Sequence, residues 1–227
     1  MTSEISNIVK ELVLNIDTTI VGTFDIVTGK TFVCNTKWAR IGKQVTDSNN
    51  DVYLITDIET NEWIIATPIN HSNNLDGIIT LASPYWQPGT KLAANSEWTK
   101  KTNNLLTKTP LIWLVELIRY RKYGRESTID FESDLRLFFL DETNVSQYYV
   151  SDHRQNVVIP MEQLSNEFIE VIKSDRAFET IENYEVITFS RFGVEQENGM
   201  FKNILDANLS GVELRITLKK YKQNCKC

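Results

Sequence analysis

Asp130, Glu132 and Asp134 occupy alternate positions in the stretch "TIDFESDLRLFFLDE", Thr128 to Glu142. They are the residues of this chain whose type and spacing could most plainly do chemistry. Carboxylates two positions apart on a strand project from one face, where they could hold a divalent cation for hydrolysis or divide an acid/base task. The spacing weighs against one ion held by all three. Alternate side chains stand about 7 Å apart along a strand, whereas a hard divalent cation takes its oxygens at about 2.0 to 2.6 Å. Other elements would have to supply ligands. The chain has two histidines, His71 and His153. His153, in "SDHRQN", could pair with Asp152 or Glu142, but no Ser or Cys nucleophile in a strand-turn-helix setting accompanies it, and a surface position is expected. Cys34 stands alone, and Cys225 and Cys227 form a C-x-C without a second pair, which reads as a reduced tail. There is no G-x-x-x-x-G-K-[ST], G-x-G-x-x-G or H-E-x-x-H. The expectation is a chain without catalytic residues, metal or cofactor. A metal-dependent hydrolase using Asp130, Glu132 and Asp134 is the weakest alternative.

The element that carries these carboxylates reads as a strand with two unlike faces. Ile129, Phe131, Leu135, Leu137 and Phe139 form an apolar column interrupted by Ser133, and the acids lie opposite. An apolar strand through Ile118 and the basic tip "RYRKYGR" precede it, so the segment reads as a hairpin turning near Gly124. Arg119 and Arg121 would then return past Thr128 to Asp130 and offer cross-strand charge pairs. Two helical segments follow, Val145 to Asn156 and a clearer one in which Met161, Leu164, Phe168, Val171 and Ile172 form a stripe behind Pro160. The strands "YEVITFSRF" and "GVELRITLKKY" complete the pattern, separated by a Gly- and Asn-rich loop.

Before this region, Ile5, Ile8, Val9, Leu12 and Val13 mark a short amphipathic helix. Two hairpins come next, one turning at Thr28-Gly29 and the other over Asp57 to Glu62. Short strands at this density suggest a small barrel or sandwich. From His71 to Thr109 the periodicity fades, and Pro84, Tyr85, Trp86 and Pro88 fall in what reads as a long arm. The fold class is α+β. A small N-terminal β-barrel or sandwich domain (1–70) is joined by a long loop arm (71–109) to a C-terminal antiparallel sheet with helices on one face (110–227). The arm residues, with Arg119, Arg121 and Arg125 of the hairpin tip, are candidate intersubunit contacts. Deletion of residues 80 to 95 is expected to leave the monomer folded but block assembly.

The chain carries 24 Lys plus Arg against 30 Asp plus Glu, a net charge of -6, so it lacks the electrostatic footprint of a protein that grips nucleic acid. A passage that DNA slides through is still compatible, since like charge prevents sticking. No basic start with an apolar run marks a secretory signal, and no stretch has the roughly 18 apolar residues of a membrane span. Folding in a cytoplasm, with no membrane partner, is expected.

The segments "CNTKWARIGKQV", "GTKLAANSEWTKKTNNLLTKTPLIWLVELIR", "ESDLRLFFLDETN", "DHRQNVVIPMEQL" and "FG…NGMFKNILDANLSGVELRITL" together resemble a family of structural proteins from tailed phages and prophages of Bacteroides-type hosts, crAss-like phages included. The resemblance implies a virion protein of the neck or tail, similar to head-tail connector, tail-completion or ring proteins. It would be made in the host cytoplasm and would form a homo-oligomeric ring beside the portal or other tail proteins, with DNA passing nearby without specific binding. The column Asp130, Glu132, Asp134 would then face a lumen or a neighbour. A soluble binding or adaptor module is the runner-up.

Overall fold

The computed structural model describes residues 2–90, 92–93, 108–115, 118–124, 127–143, 153–189, 194–197, 200–203 and 208–222. Arg125, Cys225, Cys227, most of the first expected helix (Val145 to Asn156) and the part of the arm from 94 to 107 lie outside the described residues.

Helix α1 (Thr2–Leu14) buries Ile5, Val9, Leu12 and Val13, the three-and-four spacing of one helical face. Six strands then close into a barrel: β1 (Thr19–Asp25), β2 (Lys30–Val33), β3 (Gln44–Thr46), β4 (Val52–Glu59), β5 (Trp63–Pro68) and β6 (Ile78–Leu81), in the order β1-β2-β5-β4-β3-β6. Period-two alternation places Ile20, Val33, Val45, Tyr53, Ile55, Ile64, Ile79 and Leu81 inside. The turn from β1 to β2 ends on Gly29 at φ +68, a conformation glycine takes without steric cost. The second hairpin turns later than the spacing suggests. β4 runs to Glu59, through a register shift between Ile55 and Asp57, and Asn61 takes the positive-φ corner.

The second layer is a sheet in the order β11-β14-β10-β8-β7, formed by β7 (Tyr85–Gly89), β8 (Leu111–Val115), β10 (Ile129–Glu142), β11 (Tyr184–Phe189) and β14 (Leu209–Tyr221); β9 (Arg119–Lys122) also pairs with β10. Strands β12 (Val194–Glu197) and β13 (Met200–Asn203) form a separate hairpin within the segment read as a loop. β10 and β14 pair antiparallel from Glu142↔Leu209 to Ile129↔Tyr221, with one irregularity between Ile129 and Phe131. At Gly211 the strands come so close that a Cβ would collide with the Phe139 carbonyl oxygen, so only glycine fits. Helix α2 (Ile159–Ser174), entered through a π-helical turn at Arg154–Val158, lays Met161, Leu164, Phe168 and Ile172 on this sheet, with Phe168 5.9 Å from Phe139.

The architecture is α+β, as the sequence indicates, with three corrections. β7 runs parallel to β8, Tyr85 beside Leu111 and Gly89 beside Val115, so the sheet is mixed. The segment 71–109 is also no free arm over its described part. Residues 78–81 close the barrel and residues 85–89 form a sheet edge. Pro88 hid that strand: proline cannot donate to a ladder, but a terminal strand needs only one bonded side. Deletion of residues 80 to 95 would thus remove Leu81 from the barrel interior and all of β7, so a folded monomer is no longer the expected result. The third concerns the boundary near residue 70, because the barrel, α1, α2 and the sheet contribute to one buried apolar cluster in which Val9, Ile64, Leu137, Phe168 and Leu214 all take part.

Candidate functional site

The acids on β10 do not gather. Asp130 sits at the irregularity in the ladder and is exposed. Glu132 accepts from Arg121 at 3.1 Å and from the Tyr123 hydroxyl at 2.6 Å, and Asp134 accepts from the Thr217 hydroxyl at 2.9 Å. The hairpin register places Arg121 opposite Glu132 and Arg119 opposite Asp134, further along β10 than the expected Thr128 to Asp130, because the turn is longer. This face continues as alternating charge. Arg136 and Arg215 both donate to Glu213 Oε1, at 2.7 and 2.6 Å, and Arg215 reaches Glu185 at 3.1 Å. Burial alone would raise the Glu213 carboxyl, and its bonds to the two arginines more than reverse this. Among the described residues no group of three or more His, Cys, Asp or Glu could hold a metal ion.

His153 is buried rather than on the surface. Its Nε2 lies 2.9 Å from the Ser210 hydroxyl, and burial lowers its pKa below the usual value. Pro84, Tyr85, Trp86 and Pro88 are half-buried. Trp86 packs on the main core, while Tyr85 packs on a smaller cluster on the other sheet face with Leu111, Trp113, Phe138, Leu140 and Leu209. Arg119 and Arg121 are exposed.

Two features stand out that the spacing of residues did not single out. The first is the junction between barrel and sheet. The loop from β2 to β3 carries Lys37, Trp38, Arg40 and Lys43. Lys37 Nζ reaches Asp17 at 2.7 Å. Arg40 grips Asp141 with Nε to Oδ2 at 2.7 Å and Nη2 to Oδ1 at 3.0 Å, and Lys43 Nζ stands 2.9 Å from Oδ1. Lys43 also donates to the Thr109 hydroxyl at 2.7 Å. Burial pushes Asp141 up, yet the two cations hold its carboxyl below the ordinary value. Burial lowers the Lys43 ammonium, which Asp141 only partly restores. A cavity of about 150 Å³ opens beside this cluster, walled by Trp38, Lys43, Leu81, Thr109, Pro110 and Asp141. Asp141 was within reach of pattern reading: it continues the odd-numbered apolar column of β10, an acid at a core-facing position.

The second feature is apolar surface on the outside of the barrel. Val21 is 72% exposed and pairs across the ladder with the exposed Ile78. Exposed Phe32 lies opposite Thr23 on one side and Trp63 on the other. The turn beyond β1 adds Ile26 and Val27, the latter 89% exposed. Isolated exposed apolar residues are ordinary, whereas here five lie on adjoining strands and the turn between two of them.

No protein-family model, curated protein or solved structure matches this chain. Among the described residues no helix is long and apolar enough to cross a membrane.

Proposed function

We propose that this chain is a non-enzymatic structural protein of a tailed-phage particle, assembling into a ring in the head-tail connector or tail around the DNA channel. The observation that carries the reading is the apolar patch Val21, Phe32, Ile78, Ile26 and Val27. Water contact at such a patch is unfavourable by roughly 25 cal/mol for each Å² of apolar surface left exposed, and a protein partner relieves it. A cyclic ring joins two different surfaces head to tail. The terminal strand β11 of the second sheet offers another surface, with Tyr184 and Val186 exposed. An unpaired strand edge is a natural docking element. The net charge of -6 suits a conduit from which DNA must slide freely.

Two experiments test this. Quantitative mass spectrometry of purified particles should find the chain in a fixed whole-number ratio to the portal protein, and its absence from the particle would overturn the reading. Sedimentation of a Val21→Asp/Phe32→Asp variant should show a folded monomer unable to join assemblies that the unaltered chain forms. A fixed small complex with one partner, and no ring, would instead favour an adaptor.

A further inference from the structure

We propose that the open edge of β11 pairs with the same edge of a second copy of this chain, antiparallel about a two-fold axis at Val186, so that two sheets run on as one. A head-to-tail ring held by other surfaces would stack on a second ring through this contact, so the proposal stands apart from the ring reading.

The backbone parity of the sheet shows which groups are free. Glu179 N donates to the Lys219 carbonyl and Tyr221 N to the Ala177 carbonyl, so the odd residues at the end of β14 turn their backbone groups away from β10. The register between β14 and β11 runs without a shift, and the bonded side alternates from one residue to the next. Arg215 and Glu213 are therefore hydrogen-bonded to Glu185 and Ile187, the residues opposite them. Tyr184, Val186 and Thr188 are left with N–H and C=O groups pointing outward, and β11 is the last strand on its side of the sheet. These groups have no outward partner among the described residues.

Other edges of the sheet are guarded. In β7 the Tyr85 N–H donates to the Pro110 carbonyl, so Trp86 and Pro88 hold the outward positions, and Pro88 has no N–H to offer. β9 reads Arg-Tyr-Arg-Lys, a run of cations that repels a copy of itself. β11 reads Tyr-Glu-Val-Ile-Thr-Phe, strand-favouring residues around a single charge, with neither proline nor bulge. Helix α2 packs over β10 and β14, and beyond it Tyr184 and Val186 stay exposed on the same sheet face.

Self-pairing fits this edge in one register. With Val186 opposite Val186 of the second copy, Tyr184 faces Thr188 and Thr188 faces Tyr184, so every outward N–H and C=O of both strands is bonded. Glu185 then lies opposite Ile187 rather than another acid, and keeps its own Arg215. A slip of two residues one way sets Glu185 against Glu185 of the second copy, and a slip the other way leaves Tyr184 without its partner. On the α2 face Tyr184 and Val186 of both copies meet in one apolar strip between the two helices, which takes them out of water. One strand against one strand falls short of the roughly 1,200 Å² of a stable interface. The dimer therefore forms in concentrated solution and dissociates on dilution.

Sedimentation equilibrium of the unaltered chain over a dilution series should show a reversible dimer. Hydrogen exchange measured at both ends of that series should be about tenfold slower, or more, at the Tyr184, Val186 and Thr188 amides in concentrated solution. Glu185 and Ile187, already bonded to β14, should exchange alike at both ends. Val186→Pro removes an outward N–H and leaves the ladder to β14 intact, because that group never bonded to it. It should weaken the dimer about tenfold or more. A chain monomeric throughout, a dimer whose three amides exchange as freely as in the monomer, or a folded Val186→Pro chain that dimerises undiminished would overturn the pairing. A ring with the three amides unprotected would also overturn it and leave the ring reading standing. Exchange is read on the unaltered chain, so the test survives a variant that fails to fold.

Discussion

Arg40 and Asp141 are 101 residues apart in the chain, and their side chains meet in a two-point ion pair with both members almost wholly buried. A planar guanidinium offers two N–H groups in the geometry a carboxylate accepts. The pair therefore fixes the angle at which the β2 to β3 loop meets the sheet as well as contributing energy. Removing one partner leaves the others charged without water. Asp141→Asn should destabilise the fold by about 3 to 5 kcal/mol, read as a shift in the urea midpoint at pH 7. A change under about 1 kcal/mol would show that the loop relaxes and rehydrates the cations.

The same carboxylate gives a pH signature. Its folded pKa lies below the unfolded value of 3.8, so its contribution is complete above pH 3.8 and is lost as pH falls through the folded pKa. Glu213, also held below its ordinary 4.5, acts in the same direction. As pH falls below 3.8 the unaltered chain should lose stability faster than Asp141→Asn. Parallel curves would mean that Asp141 is not coupled to folding.

His153 titrates in a different window. Its folded pKa lies below 6.5, so above that pH the ring is neutral in both states and no penalty exists. As pH drops below 6.5 the unfolded chain binds a proton that the folded chain refuses, and stability falls until the folded pKa is reached. His153→Gln, which can still hydrogen-bond Ser210, should flatten the dependence between pH 7 and pH 5.5. Retention of the full slope would assign it to another group.

Gly211→Ala tests the close approach of β14 to β10. The added Cβ would meet the Phe139 carbonyl oxygen, and φ at this position is +152, outside the range that L side chains favour. Neither obstacle relaxes without parting the longest ladder of the sheet. A loss of about 3 kcal/mol or more is expected in chemical unfolding, with weakened amide protection along residues 137–141. A near-neutral result would mean the strands part easily there.

Much of this molecule is legible in one dimension. The apolar column of β10, the stripe on α2 and the alternation in the barrel strands are local periodicities, and each reappears as buried surface. β7 was not legible because its evidence is non-local. "YWQPG" has no alternation of its own and becomes a strand only beside Leu111 to Val115, a parallel pairing across an intervening segment. His153 and Asp141 illustrate the same point for the candidate site. Asp141 shows its burial by falling on the apolar column of β10, but the partners, Ser210 for His153 and Arg40 for Asp141, lie far away in the chain and no spacing rule reports them. The barrel patch was missed for the reverse reason: Val21, Phe32 and Ile78 read as ordinary strand residues, and only closure of the barrel shows that they point outward.

The single apolar cluster linking α1, the barrel, α2 and the sheet has a thermodynamic corollary. Neither β-system can melt while the other stays dry, since each forms part of the other's interior. Heating should therefore reveal one cooperative transition, with calorimetric and van't Hoff enthalpies in agreement. The molecule behaves as one thermodynamic unit, and an isolated N-terminal fragment of 70 residues would be a chain lacking both its sixth strand and its floor.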